Sequence, residues 1–309
     1  MPDLPTAPTV ADLIRHGAEA FEHAGLAYGH GTDNAIDESA ALVFHALDLD
    51  HADAAAAYAK KPDAEGIARV LALFDERIRR RVPAAYLMGR MWFAGLEFEV
   101  DRRVIVPRSP FAELIQAEFA PWIDAARVHR ILDIGTGSGC IAIACAVAFP
   151  RARVDAVDLS AHALEVARRN VARHGVGDRL QLFLGDVYEP LGEARYDLIV
   201  ANPPYVSDEE MQSLPPEFLH EPDLALRAGA DGLDVVRRIL AGAGRHLEPD
   251  GALFVEVGDS DERVQQAFPG LPLTWLEFEH GGGGVFMLRG ADLARDGRDC
   301  AARLAPARS

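Results

Sequence analysis

The four residues with the clearest chemical purpose form the run Asn202-Pro203-Pro204-Tyr205. Two consecutive prolines fix the backbone and remove two N–H donors, so the neighbouring carbonyl groups are left as hydrogen-bond acceptors. The Asn202 side chain adds a further acceptor, and the Tyr205 ring offers a flat face for stacking. We therefore predict that these four residues are catalytic and hold a planar group that carries an NH2. A plain Pro-Pro turn after a strand is the alternative interpretation.

A second candidate site is the glycine-rich run at residues 133–139, which lies between two apolar stretches. Glycines let the backbone turn sharply and approach a ligand, and the start of a helix offers free N–H groups. Asp158 ends the next apolar stretch, where an acid commonly binds the ribose hydroxyls of a nucleoside. Its alternative role is that of a solvated turn residue before a helix N-cap at Ser160. The predicted cofactor-binding residues are Asp133, Gly135, Thr136, Gly137, Ser138, Gly139, Asp158, Leu159, Asp186, Val187 and Asn202.

The spacing of the glycines narrows the choice of cofactor. A dinucleotide fingerprint G-x-G-x-x-G would need a glycine where Cys140 stands, and no Gly-Lys-Ser/Thr follows, which excludes a P-loop. The remaining pattern, G-x-G-x-G behind an aspartate, is typical of methyltransferases that use S-adenosylmethionine, a cofactor without a phosphate. Asp186 would lie beside the adenine, although a turn residue at the end of a strand is its plainer role.

The elements that must position these residues alternate between strand and helix after Pro110. Such alternation predicts an α/β fold with a Rossmann-like, doubly wound and mostly parallel seven-stranded sheet. The glycine run and Asn202 then lie at the same crevice of that sheet. We predict parallel strands at residues 130–134, 153–157, 180–184, 197–200 and 252–257, and an antiparallel edge pair at 273–278 and 285–288. The helices are predicted at residues 111–122, 140–149, 161–174 and 233–244.

Apolar residues recur at helical spacing in the first ninety residues, as at Ile14, Ala18 and Phe21, and again from Ile36 and from Ile67. We predict a helical substrate-recognition domain at 1–90, for which packing or oligomerisation is the alternative role. A β-hairpin linker turning at Asp101-Arg102-Arg103 is predicted for 91–110. The methyltransferase domain would span 111–290, and a flexible tail 291–309.

The composition limits the partners. The 309 residues hold 31 Lys and Arg against 48 Asp and Glu, a net charge of −17. This balance disfavours duplex DNA and anionic membranes as partners and favours a cationic partner.

Three cysteines form no disulfide framework, and the start lacks a signal-peptide pattern, so we expect a cytoplasmic protein. The eleven histidines show no ligand spacing, so no metal is expected. The basic cluster of Arg77, Arg79, Arg80 and Arg81 is interpreted as a solvated helix end, with contact to ribosomal RNA as the alternative.

Taken together, these motifs resemble the N5-glutamine methyltransferases, which methylate a glutamine side chain in a protein. The resemblance covers the helical start, residues 83–89, the glycine run and Asn202-Pro-Pro-Tyr205. Residues 106–110 and 278–286 are similar to the branch that acts on the third protein of the large ribosomal subunit; the release-factor branch is the alternative. The resemblance implies S-adenosylmethionine as cofactor and a basic ribosomal protein, free or in a ribosome assembly intermediate, as partner. It also implies that Asn202 and the Pro203 carbonyl accept the amide N–H groups, that Tyr205 stacks on the amide, and that Val187, or else Tyr188, packs on the adenine.

Two other classes of function share part of this pattern. An N6-adenine methyltransferase of nucleic acid uses the same tetrapeptide on another planar NH2. The charge of −17 argues against it, because base flipping on a duplex needs many phosphate contacts. A non-catalytic nucleoside-binding module would keep the glycine run but would have no use for Asn202.

Overall fold

The computed structural model describes residues 4–50, 53–279 and 281–293. His280, and all of the predicted tail from residue 294 onward, lie outside the described residues. The domain boundaries at 90, 110 and 290 stay predictions. No helix in the described part of the chain is long and apolar enough to cross a membrane.

Helices make up the N-terminal region because apolar residues at helical spacing follow good capping residues. Thr9 and Asp12 form a capping box, and the side chains of Asn34 and Asp63 cap the next long helices. Ile36, predicted to face the core, is instead 59% exposed, and the buried face of its helix is formed by Leu42, Val43 and their neighbours. The helices are α1 (Val10–His23), α2 (Ala35–Ala46), α3 (Ala54–Tyr58), α4 (Ala64–Arg80) and α5 (Ala84–Met88).

The hairpin linker is present, but its predicted turn was wrong. Strands β1 (Arg90–Phe93) and β2 (Leu96–Glu99) pair antiparallel around Ala94 and Gly95, whose φ angles of 48° and 80° make the tight turn. Asp101-Arg102-Arg103 follows β2 and forms a separate turn, because the Asp101 carboxylate accepts hydrogen bonds from the Arg103 backbone and guanidinium. The chain beyond this turn buries Val104 and Val106.

Helix α6 (Phe111–Gln116) is shorter than the predicted 111–122. Glu118 and Phe119 have φ angles of 50° and 57°, a left-handed conformation that a helix cannot continue through. Phe119 is fully buried and packs against Phe254, so core packing compensates for the unfavourable backbone.

The predicted doubly wound sheet is confirmed. Its strands are β3 (Arg130–Ile134), β4 (Arg153–Asp158), β5 (Leu180–Leu184), β6 (Tyr196–Ala201), β7 (Leu247–Glu256), β8 (Thr274–Trp275) and β9 (Val285–Arg289). The helices are α7 (Cys140–Ala148), α8 (Ala161–His174), α9 (Asp234–His246) and α10 (Asp261–Ala267). Within the described residues the seven strands lie in the order β5-β4-β3-β6-β7-β9-β8. Strand β9 runs antiparallel to both of its neighbours, and the other six strands run in one direction. Helices α6 and α7 pack on one face, and α9 and α10 on the other.

The basic cluster at the end of α4 is not a uniformly solvated helix end. Arg77 is fully buried and donates to the Glu38 carboxylate at 2.7 Å and to the Glu217 carboxylate at 3.2 Å. Arg81 bonds the carbonyl groups at the end of α1, whereas Arg79 and Arg80 are exposed and form pairs along the helix. Buried carboxylates therefore determine where Arg77 lies, and it is not available to contact RNA.

Candidate active site

Two of the predicted motifs meet at the carboxyl ends of β3 and β6. These strands are parallel neighbours, and Ile134 pairs with Ala201, so the residues that follow each strand leave the sheet side by side. A Cβ added at Gly135 would lie 3.7 Å from the Asn202 carbonyl oxygen and 4.0 Å from the Pro203 Cα. The structure thus brings the glycine run into contact range of the tetrapeptide, as expected for the switch point of a doubly wound sheet.

The glycine run lines an open cleft of about 900 Å3, part of which is open to solvent. Gly135, Gly137 and Gly139 have φ angles of 75°, 55° and 82°, which side chains other than glycine rarely adopt. Gly135 and Gly137 line the cleft. Gly139 does not line it and instead begins helix α7 against Ala167.

Three other residues of the run, predicted to bind the cofactor, are buried and do not line the cleft: Asp133, Thr136 and Ser138. Asp133 accepts hydrogen bonds from the Thr136 hydroxyl at 2.6 Å and from the Ala142 N–H at 3.1 Å. Burial raises the pKa of Asp133 to about 7. The Ser138 carbonyl accepts a bond from the Asn170 amide. These contacts hold the shape of the run.

Asp158 lies at the cleft surface where the sequence predicted a ribose contact. One carboxylate oxygen accepts a hydrogen bond from the Gly137 N–H, and the other accepts one from the Ser160 N–H, both at 2.8 Å. Burial raises its pKa, and these two backbone bonds oppose the shift. Because a carboxylate oxygen can accept two hydrogen bonds, Asp158 can hold the glycine run and still accept bonds from two hydroxyls.

The far end of the cleft is formed by residues after β4 and β5. Leu159, Asp186 and Val187 line it, and Leu159 is 52% exposed. Asp186 forms an ion pair with Arg238, which lines the same cleft. Tyr188 does not line the cleft. Its ring is buried and stacked on His246 with ring centroids 4.4 Å apart.

A roof over the cleft was not predicted from the sequence. It consists of two segments: residues 103–105 of the linker, and Pro222, Leu224, Ala225 and Arg227 from the chain that follows the tetrapeptide. These residues have no motif of their own. The apolar Val104 and Ile105 fall within the predicted hairpin linker, and the short helical turns between residues 210 and 226 show no periodic pattern in the sequence.

Asn202 lies between this cleft and a second, smaller cavity. The smaller cavity is lined by Pro203 and Tyr205 of the same tetrapeptide and by Ile105, Arg108, Val206, Ala225 and Leu226. Pro204 lines the large cleft. A group bound in the small cavity would therefore face a ligand of the cleft across Asn202.

Tyr205 is held by glycines on two sides. A Cβ at Gly258 would lie 2.8 Å from the Tyr205 ring, and a Cβ at Gly232 would lie 2.4 Å from the Tyr205 carbonyl oxygen. Burial, and then the nearby Glu256 charge, raise the pKa of Tyr205 to about 12, so its hydroxyl stays neutral. Neither glycine was predicted, although Gly258 stands only two residues after the end of the apolar strand β7.

Glu256 is a further residue that the sequence did not single out. It is buried at the end of β7, one position beyond Val255, which pairs with Ala201 of β6. Its carboxylate accepts a 2.5 Å hydrogen bond from the Ser109 hydroxyl. Burial raises the pKa of Glu256 to about 7, while the bond from Ser109 opposes the shift.

Comparison with known proteins identifies the family. The family described as "Methyltransferase small domain" matches residues 118–232. A ribosomal protein uL3 glutamine methyltransferase of Bordetella pertussis is 52% identical over 87% of this chain and 91% of its own. Those of Xanthomonas campestris and Bradyrhizobium diazoefficiens are each 49% identical, over 92% of both chains. The chain belongs to the family of uL3 glutamine methyltransferases. It is an enzyme, a methyltransferase whose methyl donor is S-adenosylmethionine, as the sequence predicted.

The likeness of this methyltransferase to one solved structure is more distant. The catalytic domain of hMettl16, in complex with a MAT2A 3'UTR hairpin, has a TM-score of 0.48 and 16% identity, covering 74% of this chain and 83% of its own. The order and direction of the strands, not this likeness, therefore define the fold.

The lining of the cleft fits S-adenosylmethionine in chemistry. The Gly135–Gly137 backbone, the Asp158 carboxylate and the apolar surfaces of Leu159 and Val187 provide polar contacts and a nonpolar wall without a phosphate cradle. Among the described residues, no group of three His, Cys, Asp or Glu side chains could hold a metal ion.

Proposed function

We propose that this enzyme transfers a methyl group to the N5 amide nitrogen of a glutamine in ribosomal protein uL3. The observation that carries the proposal is the position of Asn202, which lines both the large cleft and the small cavity. The names of relatives at 46–52% identity support uL3 as the substrate. S-adenosylmethionine, when bound in the cleft, supplies a methyl group on a sulfonium centre.

The residues of the small cavity supply position rather than acid–base chemistry. An amide nitrogen is a poor nucleophile because its lone pair is delocalised into the carbonyl group. We infer that the Asn202 side-chain oxygen and the Pro203 carbonyl each accept one amide N–H, and that Tyr205 stacks on the amide plane. Two acceptors in fixed directions favour a pyramidal nitrogen aimed at the cleft. Positioning of this kind lowers the activation free energy of a reaction by up to roughly 7–11 kcal/mol.

No general base is required for this reaction. As the nitrogen forms a bond to the methyl group, the S–CH3 bond of the donor would break and leave a neutral thioether; the cationic nitrogen then loses a proton to water. The two acceptors on the amide N–H groups stabilise the positive charge as it develops. The neutral Tyr205 hydroxyl is consistent with a ring that stacks and does not ionise.

The acidic chain suits a basic substrate protein. Ribosomal proteins bind RNA and are generally cationic, so a net charge of −17 would speed their encounter with the enzyme. We propose that the reaction takes place in the cytoplasm, on uL3 that is free or part of a ribosome assembly intermediate.

The proposal is tested by offering the purified enzyme labelled S-adenosylmethionine with four substrates in parallel: uL3, a peptide chain release factor, adenine-containing DNA and adenine-containing RNA. We expect label on uL3 alone, retained after nuclease treatment and lost when the modified glutamine is replaced by glutamate. Label confined to the release factor would show that the enzyme acts as a member of the release-factor branch and would contradict uL3 as its substrate. Label on nucleic acid would overturn the proposal.

A further inference from the structure

Glu221 joins three parts of the molecule that lie far apart in the sequence. One carboxylate oxygen accepts hydrogen bonds from the Val106 N–H at 2.9 Å and from the Arg108 guanidinium at 2.6 Å. The other oxygen accepts the second Arg108 bond at 2.7 Å and lies 3.7 Å from Nε2 of the buried His30. Glu221 belongs to the chain after the tetrapeptide, Val106 and Arg108 to the linker, and His30 to the helical region.

Arg108 borders one cavity of the site, and Glu221 directly precedes residues that line both. Arg108 lines the small cavity beside Asn202 and Tyr205. Directly after Glu221, Pro222, Leu224 and Ala225 form the roof of the large cleft, and Ala225 lines the small cavity as well. The linker residue Ile105 also lines both cavities. The Glu221–Arg108 pair therefore fastens the two roof segments to each other.

Backbone hydrogen bonds connect the pair to the tetrapeptide. The Leu226 carbonyl accepts a bond from the Val206 N–H at 2.9 Å, and the Val206 carbonyl accepts one from the Ala228 N–H at 2.8 Å. Val206 directly follows Tyr205. These bonds fix the backbone of residues 226–228 against the residue that follows Tyr205.

The chemistry of the pair favours a geometric role over a stabilising one. Its two parallel N–H···O bonds define the orientation of both groups, which a nonpolar contact would not do. Burial opposes ionisation of Glu221, but the bonds and charges of Arg108 and His30 lower its pKa to about 2. A buried ion pair often stabilises a fold no better than well-packed apolar residues, so its value lies in orientation.

We propose that Glu221 is a positioning residue for methyl transfer: through Arg108 and Val106 it holds the two roof segments together so that the cofactor cleft and the substrate cavity meet at Asn202. The inference rests on the proposed function for its substrate, but its effect on cofactor binding does not depend on that substrate.

The test is Glu221→Gln, which keeps the size of the side chain but turns one acceptor into a donor facing the Arg108 guanidinium. We expect kcat on uL3 to fall by about tenfold to a hundredfold, as a small misplacement at an active site does, and the affinity for S-adenosylmethionine to fall as well. Glu221→Asp keeps the charge and should recover part of both losses. The double variant Arg108→Gln/Glu221→Gln should lose no more kcat and no more cofactor affinity than the more damaging single variant, because the two residues act as a unit.

Glu217→Gln is the matched control. Glu217 is also a buried carboxylate on this segment, but its partners Arg77 and Arg81 belong to the helical region and line neither cavity, whereas Arg108 lines the small one. We expect it to lower the melting temperature and leave kcat per folded molecule unchanged. Equal kcat and equal cofactor affinity in folded Glu221→Gln and wild type would overturn the inference. If Glu221→Gln does not fold, Glu221→Asp and Arg108→Gln are judged by the same two quantities.

Calorimetry separates this inference from the proposed function. If the wild type binds S-adenosylmethionine but does not methylate uL3, the proposed function fails, while weaker cofactor binding by Glu221→Gln still supports the positioning role. If the wild type methylates uL3 and Glu221→Gln matches it, only the positioning role fails.

Discussion

Replacement of Glu256 by glutamine is expected to change how stability depends on pH. Glu256 is buried, and its pKa is raised from 4.5 to about 7 in the folded protein. In the unfolded chain the carboxyl group ionises near its ordinary pKa. A group with a raised folded pKa contributes full stability below the unfolded pKa and loses that contribution as the pH rises through the folded pKa. The folded wild type therefore loses stability between pH 4.5 and about 7.

The size of this loss follows from the two pKa values. Each pKa unit corresponds to about 1.4 kcal/mol, so the rise to about 7 corresponds to a loss of about 3 kcal/mol across the full window. Glutamine cannot ionise, and its amide oxygen can still accept the hydrogen bond of the Ser109 hydroxyl. Glu256→Gln should therefore gain about 2 to 3 kcal/mol relative to wild type when the pH is raised from about 5 to about 8.

Urea unfolding of both proteins at about pH 5 and about pH 8, at one ionic strength and without ligand, measures this difference. Asp133 also has a raised pKa, but it is present in both proteins, so its contribution cancels. Glu210→Gln is the control, because Glu210 has a lowered pKa and is ionised throughout this range. A stability difference between wild type and Glu256→Gln that does not change with pH would refute the reasoning.

Two further predictions concern the cofactor cleft and the buried arginine. Asp158→Ala should weaken S-adenosylmethionine binding about tenfold in calorimetry, because it removes the proposed ribose acceptor and leaves the Gly137 and Ser160 N–H groups without the Asp158 carboxylate. Unchanged affinity would mean that Asp158 does not contact the cofactor. Arg77→Met should lower the free energy of unfolding by about 3–5 kcal/mol, since it leaves the buried Glu38 carboxylate without its cation and the buried Glu217 carboxylate with Arg81 alone. The matched change Arg79→Met removes an exposed ion pair with Asp75 and should change the free energy of unfolding little. Equal losses of unfolding free energy in the two variants would contradict the burial of Arg77 among carboxylates.

The sequence predicted the sheet and the run of candidate residues because both depend on local signals. Buried parallel strands are nearly continuous apolar runs, and Gly135, Gly137 and Asn202-Pro-Pro-Tyr205 stand directly after such runs. Parallel neighbours place these residues at one edge of the sheet without further information. The predicted fold class, enzyme class and cofactor agree with the structure and with the family.

The features that the sequence did not predict depend on contacts between distant residues. Arg77 resembles its exposed neighbours in type and is distinguished only by Glu38 and Glu217, which lie 39 and 140 residues away. The roof segments come together through Glu221 and Val106, separated by 115 residues. The misplaced hairpin turn has a different origin. Asp101-Arg102-Arg103 has turn-forming residues, but Gly95 adopts the positive φ that a two-residue hairpin needs.

The most direct test of the account is mass spectrometry of uL3 from a strain that lacks this enzyme, complemented with either the wild type or Asn202→Ala. The account predicts that uL3 carries one added methyl group on a glutamine only when the wild type is present, and that purified Asn202→Ala binds S-adenosylmethionine with nearly unchanged affinity. Full methylation of uL3 in the strain that carries Asn202→Ala would contradict the central claim that Asn202 holds the substrate amide.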